Sequence, residues 1–349
     1  MDVLGFEKLI YHYEKIEKIK QGRPQFPVNL TVSLGNYCNH GCRWCTVYAV
    51  QEEDVRHADF DRFISFFTRA KQRGLKAISY VGNGEPTAYP RFRELINQVG
   101  ELGIEQSMFT NGHLLDRYRD EILQYFTFAR ISLDAGSTPV HDAMHQVNGH
   151  FDKIVNNLAD IIERRQDKLP TIGIQYATHQ DNLSDLHRCA GVASRIGADY
   201  LSVKPVFNWG GGANQARIDP NRLSNDDIEP EVIRARNDFE SPDFKIFYRP
   251  FQIDSVAKDR NVFEYDRCVA GFFNLNMYET GILTCCSPHK VEVGTIDADL
   301  GELEQRIMEA TSNLDLSKCP PSCRYHPMNH LVDTVLNPER GREFHKNFL

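Results

Sequence analysis

The sequence predicts an α/β fold built on a parallel sheet, and two observations carry that expectation. Between residues 28 and 207, strand-like and helix-like stretches alternate through six strands, and strands joined by helical crossovers pair in parallel beneath their helices. Within the helical stretches, apolar residues recur at three- and four-residue spacing, as in Ile154, Leu158, Ile161 and Ile162. Alternation alone leaves a doubly wound sheet and a barrel both open.

The elements follow in order. Residues 1–27 form an N-terminal extension in which charged residues interrupt Leu4, Phe6, Leu9, Ile10, Tyr13 and Ile16. That pattern is an amphipathic helix, not the apolar core of a signal peptide. Strands are expected at 29–34, 77–81, 105–109, 129–133, 171–177 and 200–206, with helices at 60–73, 90–102, 151–165 and 183–196 and a shorter one at 119–125. After Val206 the rhythm stops. Gly210, Gly211, Gly212 and the polar stretch 213–227 read as a linker. A helix near 231–238 and a strand near 244–249 complete a connecting region, 208–262. Residues 263–349 make a small α+β domain with a hairpin-like pair at 274–277 and 281–284.

The net charge of −8 argues against a nucleic-acid partner, because phosphate binding needs clustered Lys and Arg. Apolar runs fall short of the roughly 20 residues of a membrane span. The nine cysteines fall into a trio (Cys38, Cys42, Cys45), a lone Cys189, and a late group of Cys268, Cys285, Cys286, Cys319 and Cys323. Short spacings in a chain this long read as metal binding in a reducing cytoplasm, not as a disulfide framework.

The trio sits on the loop leaving the first strand, in Cys38-Asn39-His40-Gly41-Cys42-Arg43-Trp44-Cys45. Three thiolates at this spacing suit three irons of a [4Fe–4S] cluster, which normally takes four Cys ligands. A missing fourth ligand leaves one metal position open for a cosubstrate. A zinc site with His40 as fourth ligand is the alternative. One strand later comes Gly82-Asn83-Gly84-Glu85-Pro86. Cysteine trio and Gly-Glu pair, in that order, resemble the radical S-adenosylmethionine (SAM) superfamily, and Trp44 fits the aromatic favoured before the third cysteine.

The resemblance implies a partial (β/α)6 barrel over 28–207, with a [4Fe–4S] cluster and SAM as cofactors. Gly84 and Glu85 are the matching pair for the SAM ammonium, since Asn83 separates the two glycines. Asn111, Ser132, Asp134 and Lys204, at the ends of the third, fourth and sixth strands, are candidates for the remaining SAM contacts. Each reads equally well as an ordinary strand-end residue.

The late cysteines resemble a twitch domain, the shortened form of the SPASM domain, which binds an auxiliary [4Fe–4S] cluster. The family pattern places a cysteine five residues after the hairpin Gly281, selecting Cys286 beside Cys268, Cys319 and Cys323. Zinc in this four-cysteine set is the alternative. Cys285 is then spare. Strand alternation would point it away from Cys286, and it is a candidate hydrogen-atom donor to a substrate radical. Cys189 reads as a core residue.

The implied activity is reductive cleavage of SAM to a 5′-deoxyadenosyl radical that abstracts hydrogen from an unreactive C–H bond. The electron would come from a partner such as flavodoxin or ferredoxin. The resemblance to twitch proteins of this length implies, as the first expectation, a small carbohydrate-like, aminocyclitol or nucleoside substrate undergoing dehydrogenation, epimerisation, dehydration or decarboxylation, and the short segment before residue 29 lowers the expectation of a peptide. Peptide modification is the runner-up. A non-catalytic iron–sulfur or zinc-binding protein is the reading outside enzymes, and the complete trio with Gly84-Glu85 argues against it.

Overall fold

The computed structural model describes residues 5, 7–45, 54–207, 219–256, 263, 265–286, 289–319 and 323–337. The strands are β1 (Asn29–Val32), β2 (Ala77–Tyr80), β3 (Glu105–Thr110), β4 (Phe126–Ser132), β5 (Thr171–Thr178), β6 (Tyr200–Pro205), β7 (Lys245–Tyr248), β8 (Asn274–Met277), β9 (Ile282–Thr284) and β10 (Glu292–Thr295). They form one ten-stranded sheet in the order β10-β9-β8-β1-β2-β3-β4-β5-β6-β7. From β1 to β7 every pairing is parallel. This is the partial barrel that the alternation and the motifs predict.

Around it lie α1 (Tyr13–Lys20), α2 (Phe60–Gln72), α3 (Phe92–Glu101), α4 (Arg119–Tyr125), α5 (Thr138–His145), α6 (His150–Arg164), α7 (Leu186–Arg195), α8 (Asn225–Phe239), α9 (Pro250–Val256), α10 (Leu300–Ser312) and α11 (His326–Leu336). Successive strand residues face opposite sides of a sheet. One side carries Leu30, Val32, Ile78, Tyr80, Ile131, Ile174 and Leu201, all buried. They pack in one continuous core with the apolar stripes of the helices, such as Phe63, Phe66, Phe67 and Ala70 of α2.

The other side is polar. Ser107 donates to Ser79 Oγ (2.8 Å), Ser79 to Asn29 Oδ1 (3.4 Å), and Asn29 Nδ2 to Asn274 Oδ1 (2.6 Å). Hydroxyls and amides here satisfy one another laterally across β3, β2, β1 and β8, leaving a hydrophilic lining where a polar ligand can sit.

The sheet runs beyond the six expected strands. The hairpin expected at 274–277 and 281–284 continues it. β8 runs parallel to β1 in the register Asn29↔Asn274 to Val32↔Met277, and β9 turns back antiparallel onto β8. The strand expected near 244–249 is present as β7 and extends the parallel sheet beside β6. The glycine trio 210–212 and residues 213–218 of the expected linker lie outside the described residues. Where that stretch resumes, Ser224 and Asp227 form a capping box that starts α8 before the expected 231.

Candidate active site

The cysteine loop leaves the C-terminal end of β1 and is held from three directions. Asn36 accepts from the Arg56 backbone N–H (2.7 Å) and donates to Asp54 O (2.9 Å). The backbone N–H groups of Gly41 and Arg43 donate to the carbonyls of His145 and Met144, at the end of α5 (both 3.0 Å). Gly84 packs directly against the residue before the first cysteine. A Cβ there would meet Tyr37 O at 2.1 Å, and the Glu85 N–H donates to that same carbonyl (2.8 Å). Only glycine allows this approach. The two motifs that the sequence places one strand apart are therefore in backbone contact.

Polar groups surround the sulfurs. The His40 backbone N–H donates toward Cys38 Sγ (3.4 Å), and the His145 ring lies beside Cys42, with Nδ1 3.4 Å from its Sγ. Burial, and secondarily the Glu85 carboxylate, pushes the Cys38 thiol up to about 12, and burial raises Cys42 as well. Such sulfurs become thiolates only with a cation beside them, which fits an iron site.

The Glu85 carboxylate faces the protein. Oε1 accepts from the Thr87 N–H (3.1 Å), Thr87 Oγ1 (2.6 Å) and Thr110 Oγ1 (2.6 Å), and Oε2 from the Asn111 N–H (2.9 Å). A carboxylate has about four lone-pair sites, so Glu85 ties the end of β2 to the end of β3. Burial raises its pKa while these donors oppose the rise.

Asn111 donates to Asn39 Oδ1 within the cysteine loop (2.8 Å). Asp134, in a left-handed backbone conformation with φ of 56°, accepts from the Ala177 N–H (2.6 Å) and faces His145 Nε2 (3.1 Å). Both are engaged internally. Ser132 lies in register beside Gln175, whose Oε1 accepts from Lys204 Nζ (3.1 Å). Trp44 packs edge-on to His145, with centroids 6.4 Å apart.

A cavity of about 300 Å³ opens between the polar side of the sheet and the C-terminal segment. Thr31, Val81 and Lys204 line it from the barrel, and Cys268, Cys285, Cys286, Cys319 and Cys323 from the other side. All the late cysteines thus converge on the barrel interior. β9 ends at Thr284, and Cys285 and Cys286, just beyond it, both line this cavity. Asn329 Nδ2 lies 3.4 Å from Cys268 Sγ, and His289 Nε2 3.3 Å from Cys319 Sγ. Cysteine sulfurs with ring or amide nitrogens beside them suit thiolate ligands. Cys189 is buried in the core on α7.

The cavity's charged side chains are cationic. Lys204 and Arg324 line it, and among the described residues no Asp or Glu does. Burial lowers the Lys204 pKa to about 7, with Arg130, Arg324 and Arg249 adding to the shift.

A histidine cluster beside the cysteine trio was not expected. His40, His113, His141, His145 and His150 pack ring against ring. The signal available in the sequence is the i, i+4 pair His141 and His145, one helical turn apart.

Comparison with known proteins agrees with the geometry. Residues 32–188 match the model of the radical SAM superfamily. The chain is 25% identical over 232 residues to the PqqA peptide cyclase of Ruegeria pomeroyi, covering 64% of this chain and 61% of that protein. It is 26% identical over 186 residues to the tungsten-containing aldehyde ferredoxin oxidoreductase cofactor-modifying protein of Pyrococcus furiosus, covering 51% of each. The matches thus span between half and three-fifths of these relatives' lengths. Among solved structures, Streptococcus suis SuiB bound to its precursor peptide SuiA superimposes with a TM-score of 0.67 at 16% identity, covering 91% of this chain and 76% of that one. That likeness is one of fold.

Proposed function

We propose that this protein, whose residues 32–188 form a radical SAM domain, is a radical SAM enzyme that modifies a peptide. The domain brings a [4Fe–4S] cluster and SAM as cofactors. Cys38, Cys42 and Cys45 would hold that cluster, and Cys268, Cys286, Cys319 and Cys323 an auxiliary one. Cluster and SAM together supply a radical able to take hydrogen from an unactivated C–H bond. The chain's own residues then bind, orient and shield. Glu85 holds the Gly82–Gly84 backbone against the cysteine loop. Lys204 and Arg324 receive an anionic group of the substrate. Cys285 lines the same cavity and is placed to return a hydrogen atom where the reaction needs one.

The observation that carries the reading is the backbone contact between Gly84 and Tyr37, which brings the cysteine trio and the Gly-Glu motif into one site. The substrate class is supported by the relatives. The R. pomeroyi relative is a peptide cyclase, and a protein of the same fold holds a precursor peptide. These support a peptide over the small carbohydrate-like metabolite that the twitch resemblance first implied. A flavodoxin- or ferredoxin-like reductant remains the proposed electron source. No described helix is long and apolar enough to cross a membrane.

Anaerobic incubation with SAM and dithionite is expected to yield 5′-deoxyadenosine. Replacing Cys38, Cys42 and Cys45 with Ala should abolish it and leave about half the iron if both clusters are of the four-iron type. Continued 5′-deoxyadenosine formation in the triple variant would remove the assignment. The substrate class is read separately, by adding precursor peptides or small metabolites and measuring which one changes mass.

A further inference from the structure

We propose that His40, His113 and His150 form a site for one first-row divalent transition-metal cation of the zinc type, distinct from both cysteine groups. The three rings come from different elements: the cysteine loop, the turn after β3 and the first residue of α6. One nitrogen from each lies within 4.8 Å of the other two. His40 Nε2 and His150 Nδ1 are 3.1 Å apart. Two ligands on a tetrahedral zinc, at about 2.0–2.1 Å each, are separated by roughly 3.3 Å. A cation would therefore fit between His40 and His150 with a small spreading, and His113, stacked nearly parallel on His150, would turn its ring to join them.

The surrounding hydrogen bonds prepare His40 as a ligand. Buried Asp134 faces His145 Nε2 at 3.1 Å, so that nitrogen carries the proton. His145 Nδ1 in the neutral ring is then an acceptor. It lies 3.1 Å from His40 Nδ1, which must be the donor. His40 Nε2 is then an acceptor facing His150 Nδ1, and a cation would take the place of the shared proton. Metal-bound histidines are typically held this way, with the second ring nitrogen donating to a partner that ends in a carboxylate. Here the backing runs Asp134–His145–His40.

A second, independent observation is His113. Its Nδ1 is buried and has no hydrogen-bond partner, while its ring stacks on His150 at 3.8 Å. Burying an unpaired polar nitrogen is costly, and a cation would satisfy it. The donor set is neutral imidazole, which suits zinc, cobalt, nickel or copper but not magnesium or calcium. His40 is buried, whereas His113 and His150 are only partly so, which gives the cation a way in. His40, Cys42 and His145 form a second close group, but Asp134 and His40 already engage both His145 nitrogens. That group therefore serves as backing.

The test uses anaerobically purified protein with its iron loaded. Zinc is titrated by equilibrium dialysis, and the bound ion is examined by X-ray absorption at the zinc edge. The expected result is one zinc per chain above the iron content, with nitrogen or oxygen neighbours and no sulfur. His113→Ala combined with His150→Ala should lose saturable binding at unchanged iron content. His145→Phe should weaken it roughly 10- to 100-fold through the lost backing. His187→Ala, on the far helix α7, should bind as the parent does. Absent saturable binding by the parent protein, sulfur neighbours at the zinc edge, or retained binding in the double variant would each overturn the site. Should the variants fail to fold, the parent's absorption spectrum decides alone. Loss of the radical SAM reading would show as missing 5′-deoxyadenosine and leaves this zinc measurement untouched.

Discussion

Lys204 ends β6 with its ammonium on a neutral amide, Gln175 Oε1. Its pKa is lowered from an ordinary 10.5 to about 7, with burial the largest cause. A lysine depressed in the folded state binds fewer protons there than in the unfolded chain. Its contribution is therefore fully present above about pH 10.5 and is lost as pH falls through about 7. Lys204→Met should remove this dependence: relative to the variant, the parent should gain stability between those limits. Denaturant titrations at pH 6.5 and 9.5 check it, and parallel stability curves for the two proteins would contradict it.

Glu85 gives a prediction of a different kind. If it acts by holding the Gly82–Gly84 backbone, its donors matter as much as its charge. Glu85→Gln turns an amide N–H donor toward groups that themselves donate, leaving a buried donor unsatisfied at a cost of about 1–3 kcal/mol. Thr110→Val removes one donor to Oε1 and leaves the carboxylate in place. Both variants should lose stability and SAM affinity together. If Thr110→Val binds SAM normally while Glu85→Gln does not, the carboxylate contacts SAM directly.

At the scale of elements, α2 docks the C-terminal segment onto the barrel. Arg62 pairs with Asp297 and Arg73 with Glu304. Arg69 donates to the carbonyls of Ile296 and Ala298. The Arg62–Asp297 pair is exposed and contributes little, whereas Arg73 meets a largely buried Glu304. Arg69 satisfies backbone acceptors that are partly buried, so Arg69→Met should cost more than loss of the exposed Arg62 pair, about 1–3 kcal/mol. Urea unfolding of Arg69→Met beside Arg62→Ala gives the ranking, and equal losses would refute it.

These elements also show what a sequence conceals. The strands β1 to β6 are legible because each carries its apolar face within a few consecutive residues. The cysteine trio and the Gly84-Glu85 pair are legible because their spacing is local. The Glu85–Thr110 contact spans 25 residues and His40–His150 spans 110, so no local pattern announces either. α5 was missed for a local reason: its Thr-Pro start and two histidines offer little apolar periodicity, since its job is to hold the cysteine loop. The pairing of β8 with β1 is the least legible of all. Asn29 and Asn274 are 245 residues apart, and neither is apolar.

That last pairing decides how the whole molecule behaves. A barrel domain that ended cleanly near residue 207 would expose β1 as an edge strand. Here β8 covers that edge. The Ser33 N–H donates to Met277 O (2.8 Å) and the Asn29 N–H to Phe273 O (3.0 Å). Phe272, Leu275, Met277 and Leu283 belong to the same core as Leu30 and Val32. Removing everything after residue 262 uncovers both the ladder and this apolar surface, and an uncovered, hydrophobic edge strand templates aggregation. The truncated chain should therefore be insoluble, or rapidly exchange its β1 amides for deuterium. Loss of the auxiliary cysteines alone is a separate matter. A full-length chain with Cys268, Cys286, Cys319 and Cys323 replaced by Ser keeps β8 and should stay soluble, with β1 protected. If instead the truncated chain is soluble with protected β1 amides, the barrel folds on its own and the sheet's continuity is dispensable. If the serine variant aggregates like the truncation, the metal site and not the strand pairing holds the C-terminal segment in place.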